Sequence, residues 1–167
     1  LYRVGPFYPG QKKGLRETRA LMIFNLWVGN PDLKPGENNK TLIRTKDGKQ
    51  QLHYMQHDVG FAFGFYGREK PTEYPWTMVR GKSKGNIIFN FRSFVPNEGW
   101  GHVTFSDGKW MVRKIAQLTR EQIRECVQFG EWPNTAPYNY EQLLIEKLIH
   151  RRNEMVAAFG LVGEVQK

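Results

Sequence analysis

Asp32, Lys34, Asn38 and Asn39 fall within eight positions of one another, in the run Asn30-Pro31-Asp32-Leu33-Lys34-Pro35-Gly36-Glu37-Asn38-Asn39. An acid, a lysine and two amides so close together can accept a proton, offset anionic charge and offer oxygen atoms to a cation. Two prolines and a glycine cannot continue a helix, so the run reads as a loop. A second acid, Asp58, follows 26 positions after Asp32, ahead of Val59 and Gly60, where a glycine lets the backbone turn. Carboxylate and amide oxygens are the hard ligands that magnesium prefers, and magnesium completes its shell with water and substrate phosphates. The pattern predicts a site in which one Asp and one Asn hold magnesium while the other Asp orients a hydroxyl. Turn formation is the competing explanation, because Asn and Asp side chains also cap backbone amides in loops.

Such side chains are held to catalytic tolerance only when rigid elements flank the loop. Upstream, Leu15, Ala20, Leu21, Ile23, Phe24, Leu26 and Trp27 recur near helical spacing, which predicts a largely buried helix over residues 15–28 that Gly29 stops. Downstream, Thr41-Leu42-Ile43-Arg44 and residues 51–56 read as strands joined by the turn Lys46-Asp47-Gly48-Lys49. That hairpin should bring Asp32 and Asp58 to the same end. Residues 61–109 are rich in Gly, Pro and aromatics; 86–94 reads as the best strand there, and Ser106-Asp107-Gly108-Lys109 as a second turn. Thr119-Arg120-Glu121-Gln122 is a capping-box pattern that should open a helix running to about Phe129, with Cys126 as a small buried hydrophobe. A last helix is expected over 140–159, with Gly160 as its stop. Residues 1–14, with five Gly and Pro and the pair Lys12-Lys13, read as a basic arm or linker, and 15–167 as a single α+β domain, helix-rich at its carboxy end.

Asp32-Leu33-Lys34-Pro35-Gly36-Glu37-Asn38 resembles the catalytic loop of the protein-kinase-like superfamily, and His57-Asp58-Val59-Gly60 resembles its metal-binding Asp-Phe-Gly motif, in the same order and context. The run from Asp58 to Gly64, with a second glycine six positions after the Asp, is similar to the lipid-kinase form. The resemblance covers residues 15–64 with specific motifs, and the later helices only in that a kinase large lobe is also helical. It implies a kinase-like large lobe with a catalytic-loop β-hairpin, and an ATP-dependent phosphotransferase that uses magnesium to modify an unidentified hydroxyl acceptor. It further implies Asp32 as the catalytic base, Lys34 as the residue steadying the transferred phosphoryl group, Asn38 and Asp58 as magnesium ligands, and Val59 and Gly60 as the motif's turn beside the cofactor. Asn38 comes six positions after Asp32 where protein kinases use five, so Asn39 is the alternative ligand; Asn30 and Pro31 replace the usual His and Arg. No glycine-rich phosphate loop followed by a Val-Ala-x-Lys strand precedes the segment, so a separate chain or a missing segment would supply the small lobe.

The chain has 167 residues, enough for one packed core, with 25 Lys and Arg against 16 Asp and Glu, a net charge of +9. Such a surface attracts phosphates, acidic membranes or acidic proteins. The single Cys126 excludes an intramolecular disulfide and a multi-cysteine zinc site, and no stretch reaches about 18 apolar residues, so no membrane span is expected. One thiol leaves the compartment open, with a soluble cytoplasmic chain as the working choice. His53 and His57 share a strand face without a third zinc ligand. The rival to an enzyme is a nucleic-acid or polyanion-binding module. It would use Lys12-Lys13, Arg80-Gly81-Lys82-Ser83-Lys84, Arg113-Lys114 and Arg151-Arg152, with Tyr74, Trp76, Phe89, Phe91 and Trp100 stacking on bases; Arg80 to Lys84 also reads as a flexible loop that meets substrate. A kinase-like scaffold that binds without turnover is the second rival.

Overall fold

A computed structural model describes residues 2–6, 8, 14–34, 38–57, 59–64, 72, 74–91, 98–132, 134–135 and 138–164. The apolar run after residue 15 forms helix α1, Arg16–Val28, with Ala20, Met22, Ile23, Leu26, Trp27 and Val28 buried. Gly29 follows in the left-handed conformation (φ 64°), and the bonds Gly29 N–H to Leu26 O (3.2 Å) and Asn30 N–H to Asn25 O (3.0 Å) close a Schellman motif. Glycine is needed here twice over, because a Cβ would also stand 2.3 Å from the Tyr74 ring.

Strands β2, Asn39–Lys46, and β3, Lys49–Gln56, form the expected hairpin. Asp47 and Gly48 both take positive φ (52° and 71°), the two-residue turn whose twist matches that of the strands. The extended residues at the amino end form β1, Tyr2–Pro6, antiparallel to β2 with a register shift between Arg3 and Gly5, which gives a three-stranded sheet in the order β1-β2-β3. A second hairpin pairs β4, Val79–Ser83, with β5, Asn86–Phe89, through Lys84 (φ 48°) and Gly85 (φ 80°). Arg80 to Lys84 is therefore strand and turn where the sequence reads as a flexible loop. The strand expected over 86–94 ends at Phe89.

Ser106-Asp107-Gly108-Lys109 is not a turn. It is the first turn of α2, Phe105–Ala116, opened by a capping box between Thr104 and Asp107. Arg19 of α1 also grips Asp107 through two bonds of 2.7 and 2.8 Å, and Gly108 lets α2 approach Phe159 so closely that a Cβ would lie 2.5 Å from its ring. Helix α3, Arg120–Gln128, starts at the expected Thr119–Gln122 box. Its buried positions are Ile123 and Val127, whereas Cys126 is exposed and not the small core residue expected. A two-residue ladder of β6, Asn134–Thr135, and β7, Tyr138–Asn139, leads into α4, Tyr140–Ala158. Asn139 caps α4, and Gly160 (φ 67°) ends it in a second Schellman motif, with Gly160 N–H to Ala157 O and Leu161 N–H to Val156 O.

The result is a mixed α+β chain whose core lies among the helices. α1 packs on α2 and α4, and α4 packs on α2 and α3, around Ile23, Leu26, Trp27, Val112, Ile115, Leu144, Leu148 and Met155. The β2–β3 hairpin stands away from this core: Lys40 is buried, but the strands beyond it are half-buried or exposed, and Leu52 is 59% exposed. Among the described residues no helix is long and apolar enough to cross a membrane.

Candidate functional site

The loop that follows α1 is tied to both of its neighbours by side-chain amides. Asn25, buried in α1, donates to Gln56 Oε1 at the end of β3 (2.9 Å) and to Leu21 O (2.9 Å), while its Oδ1 accepts from Asn30 Nδ2 (3.1 Å). Asn30 Oδ1 in turn accepts from the Asp32 backbone N–H (3.2 Å). Across the loop Asn38 donates its Nδ2 to Asp32 O (3.0 Å) and its N–H to Lys34 O (3.2 Å), and Asn39 donates Nδ2 to Lys34 O (3.3 Å). The His57 N–H closes the base of the hairpin onto Asn38 O (2.8 Å). Helix, loop and hairpin thus share one hydrogen-bonded frame.

Asp32 lies inside this frame and is 2% exposed. Its Oδ2 meets Lys34 Nζ at 3.2 Å, and its Oδ1 is buried without a hydrogen-bond partner. Asn39 Oδ1 and His57 Nε2 are likewise buried and unbonded. Turn formation accounts for Asn30, Asn38 and Asn39, whose amides serve the backbone, but not for the Asp32 carboxylate, which bonds no backbone amide among the described residues. Carboxylate and amide oxygens stripped of water without a donor bear a desolvation cost that a cation or a hydroxyl would relieve. The amide oxygens suit a hard cation such as magnesium: Asn39 Oδ1 is buried and unbonded, and Asn38 Oδ1 takes no part in the bond its Nδ2 makes, which leaves Asp32 Oδ1 to meet a hydroxyl.

Of the residues singled out in the sequence, Asp32, Lys34, Asn38 and Asn39 come together. Asp58 lies outside the described residues. Gly60 sits in an exposed turn with open space around it and no left-handed φ, so the backbone there does not require a glycine; the left-handed residue is Phe63 (φ 62°). His53 is exposed on β3 opposite Leu42, and among the described residues no three His, Cys, Asp or Glu side chains gather as a metal site. The basic pair Arg151-Arg152 is buried and unavailable to an external polyanion, and Tyr74 is a core residue instead of a stacking platform. Lys12 and Lys13 lie outside the described residues.

The sequence reading missed the supports: Asn25, Gln56, Tyr74, Lys147 and Arg151. The signal was present for three of them, since Asn25 interrupts an apolar helix face and Lys147 and Arg151 fall at i, i+4 on the apolar stripe of α4. Burial holds the Tyr74 phenol well above its usual range, against the opposing charge of Arg151. Burial likewise lowers Lys147 and Arg151. No family model matches the sequence, and no curated protein or solved structure matches it either.

Proposed function

We propose that the Asp32 loop is the centre of an ATP-dependent, magnesium-assisted phosphotransferase, with Asp58 as the second acid. The observation that carries this reading is the Asp32 carboxylate, buried at 2% exposure with Oδ2 on Lys34 and Oδ1 unbonded. Asp32 Oδ1 accepts the proton of an acceptor hydroxyl as that oxygen bonds to the terminal phosphorus of ATP and the bond to the ADP oxygen breaks. Lys34, half-exposed beside it, places a cation next to the transferred group. Asn38, whose Nδ2 is locked on the Asp32 carbonyl, and Asn39 hold the loop in register and offer amide oxygens, with Asp58, to the ion. Magnesium, when bound, offsets charge on the nucleotide phosphates. The kinase-like large lobe is part of the same proposal, supported by the helix, loop and hairpin order around Asp32.

The test is transfer of label from γ-labelled ATP, with magnesium, to water or to a panel of alcohols. Loss of a positioned general base lowers such rates by about 10²–10⁴-fold, so Asp32→Asn is expected to fall by that factor. A variant as fast as wild type overturns the assignment, and nucleotide binding without label transfer by the wild type identifies the inactive-scaffold alternative. The polyanion-binding reading has one observation in its favour, the exposed Arg80, Lys82 and Lys84 on the β4–β5 hairpin. It predicts salt-dependent nucleic-acid binding that these three residues carry and Asp32 does not affect.

A further inference from the structure

Lys147 and Arg151 stand one turn apart in α4, and each is only 1% exposed. Both direct donors at backbone carbonyls. Lys147 Nζ reaches Thr72 O (3.0 Å) and Tyr74 O (2.5 Å). The Arg151 guanidinium spans three carbonyls: Nε to Trp27 O (2.9 Å), Nη2 to Leu26 O (2.5 Å) and Nη1 to Pro75 O (2.8 Å). The Tyr74 hydroxyl adds a second bond to Trp27 O (2.6 Å), and its ring centroid lies 4.3 Å from the guanidinium carbon while the ring presses on Gly29. Leu26 and Trp27 belong to the last turn of α1, whose carbonyls form its negative end; Leu26 O also accepts the Gly29 N–H.

We propose that Arg151, with Tyr74, is a positioning residue for Asp32. The loop starts at the clamped turn. Asn30 bonds the Asn25 carbonyl and side chain and hands its own Oδ1 to the Asp32 N–H, so the direction in which α1 ends fixes where Asp32 stands. Packing alone does not call for a guanidinium, since an apolar side chain of similar volume is often neutral or stabilising at a buried ionic position. Only a planar fork serves the Leu26, Trp27 and Pro75 oxygens together; a lysine ammonium on a flexible stem does not. The functional consequence rests on the reading of Asp32 given above, whereas the mechanical one does not.

Two variants of the full chain separate the possibilities: Arg151→Lys keeps the charge and loses the fork, and Tyr74→Phe keeps the ring and loses the hydroxyl. In amide hydrogen exchange, the Asp32 and Asn38 amides are expected to exchange about tenfold faster in both variants, with α2 and α3 amides at wild-type rates. Unchanged loop protection overturns the proposal, and so does a uniform loss in all helices, which would make Arg151 a general stabiliser. Manganese titrated by electron paramagnetic resonance, at a temperature where every variant is folded, reads the link to the site. Arg151→Lys is expected to bind manganese about tenfold more weakly than wild type, in the direction of Asp32→Asn. Wild-type manganese affinity in Arg151→Lys despite a loosened loop overturns that link. A wild-type chain that binds no manganese overturns the site reading instead, and the exchange data still decide the clamp.

Discussion

The Asp32 carboxylate is buried with one oxygen bare of hydrogen bonds, an arrangement that costs stability unless a ligand meets it. Asp32→Asn keeps the shape and removes the charge, so without ligand the variant should melt at or above the wild-type temperature. A drop of several degrees in a thermal scan would show instead that the carboxylate is structural. Asp107 is the opposite kind of acid, with both oxygens engaged by Arg19 and Thr104. The hydrogen bonds from Arg19 are the largest reason that its carboxyl lies far below the usual carboxylate range. A folded-state value below the unfolded one adds stability that is complete above about pH 4 and fades as pH falls toward the folded value. Denaturant titrations between pH 5 and pH 2, at values chosen about the unfolded range, should show this loss in wild type and a flatter profile in Asp107→Asn. The Asp107-Gly108 pair misleads a reader of the sequence because Asp-Gly is also the commonest hairpin signal. Here the Asp caps a helix, and the Gly makes room for Phe159. Gly108→Ala should therefore lower the melting temperature, overpacking of about 1–3 kcal/mol exceeding the helix-propensity gain of about 1 kcal/mol. Gly60→Ala, with open space around it, should leave that temperature unchanged.

At the scale of elements, the helix and hairpin around the loop were legible because their signals are local and redundant. Apolar spacing marks α1, Gly29 its end, and Asp47-Gly48 the turn. The Thr119–Gln122 box and Gly160 marked the later helices for the same reason. What escaped was built on residues that carry no turn or cap signal by themselves. Lys84 adopts a left-handed φ in the β4–β5 turn although lysine is not a typical residue there, and β1 takes its register from its pairing with β2. The Thr104–Asp107 box could have been read from its spacing. Both Thr→Ala substitutions should destabilise by about 0.5–2 kcal/mol. Thr104→Ala should be the larger, because Thr104 also makes a part-buried bond to the Asp107 oxygen that anchors Arg19, while the bond between Thr119 and Gln122 is exposed. Equal midpoints in urea would contradict that order.

Across the whole molecule, the charge of +9 is divided between two roles that composition cannot separate. Arg151, Arg152 and Lys147 are buried against carbonyls, while Arg80, Lys82 and Lys84 are exposed on a hairpin. The sequence located Asp32, Lys34, Asn38 and Asn39 because they are neighbours in the chain. It marked Asn25 and Arg151 only as polar breaks in apolar faces and concealed their partners, and it gave no sign of Gln56 or Tyr74 as supports, because these meetings depend on long-range packing: Arg151 stands 124 positions from the Trp27 carbonyl it bonds. Under the proposed function, this assembly frames one carboxylate for a hydroxyl beside a cation and a phosphate. Calorimetric titration of the chain with ATP and magnesium, beside Asp32→Asn and Asp58→Ala, tests it most directly. Saturable binding that requires magnesium, is lost in Asp58→Ala and is weakened in Asp32→Asn is expected, with all three proteins folded. Absence of binding by the wild type, or equal binding by all three, would contradict it.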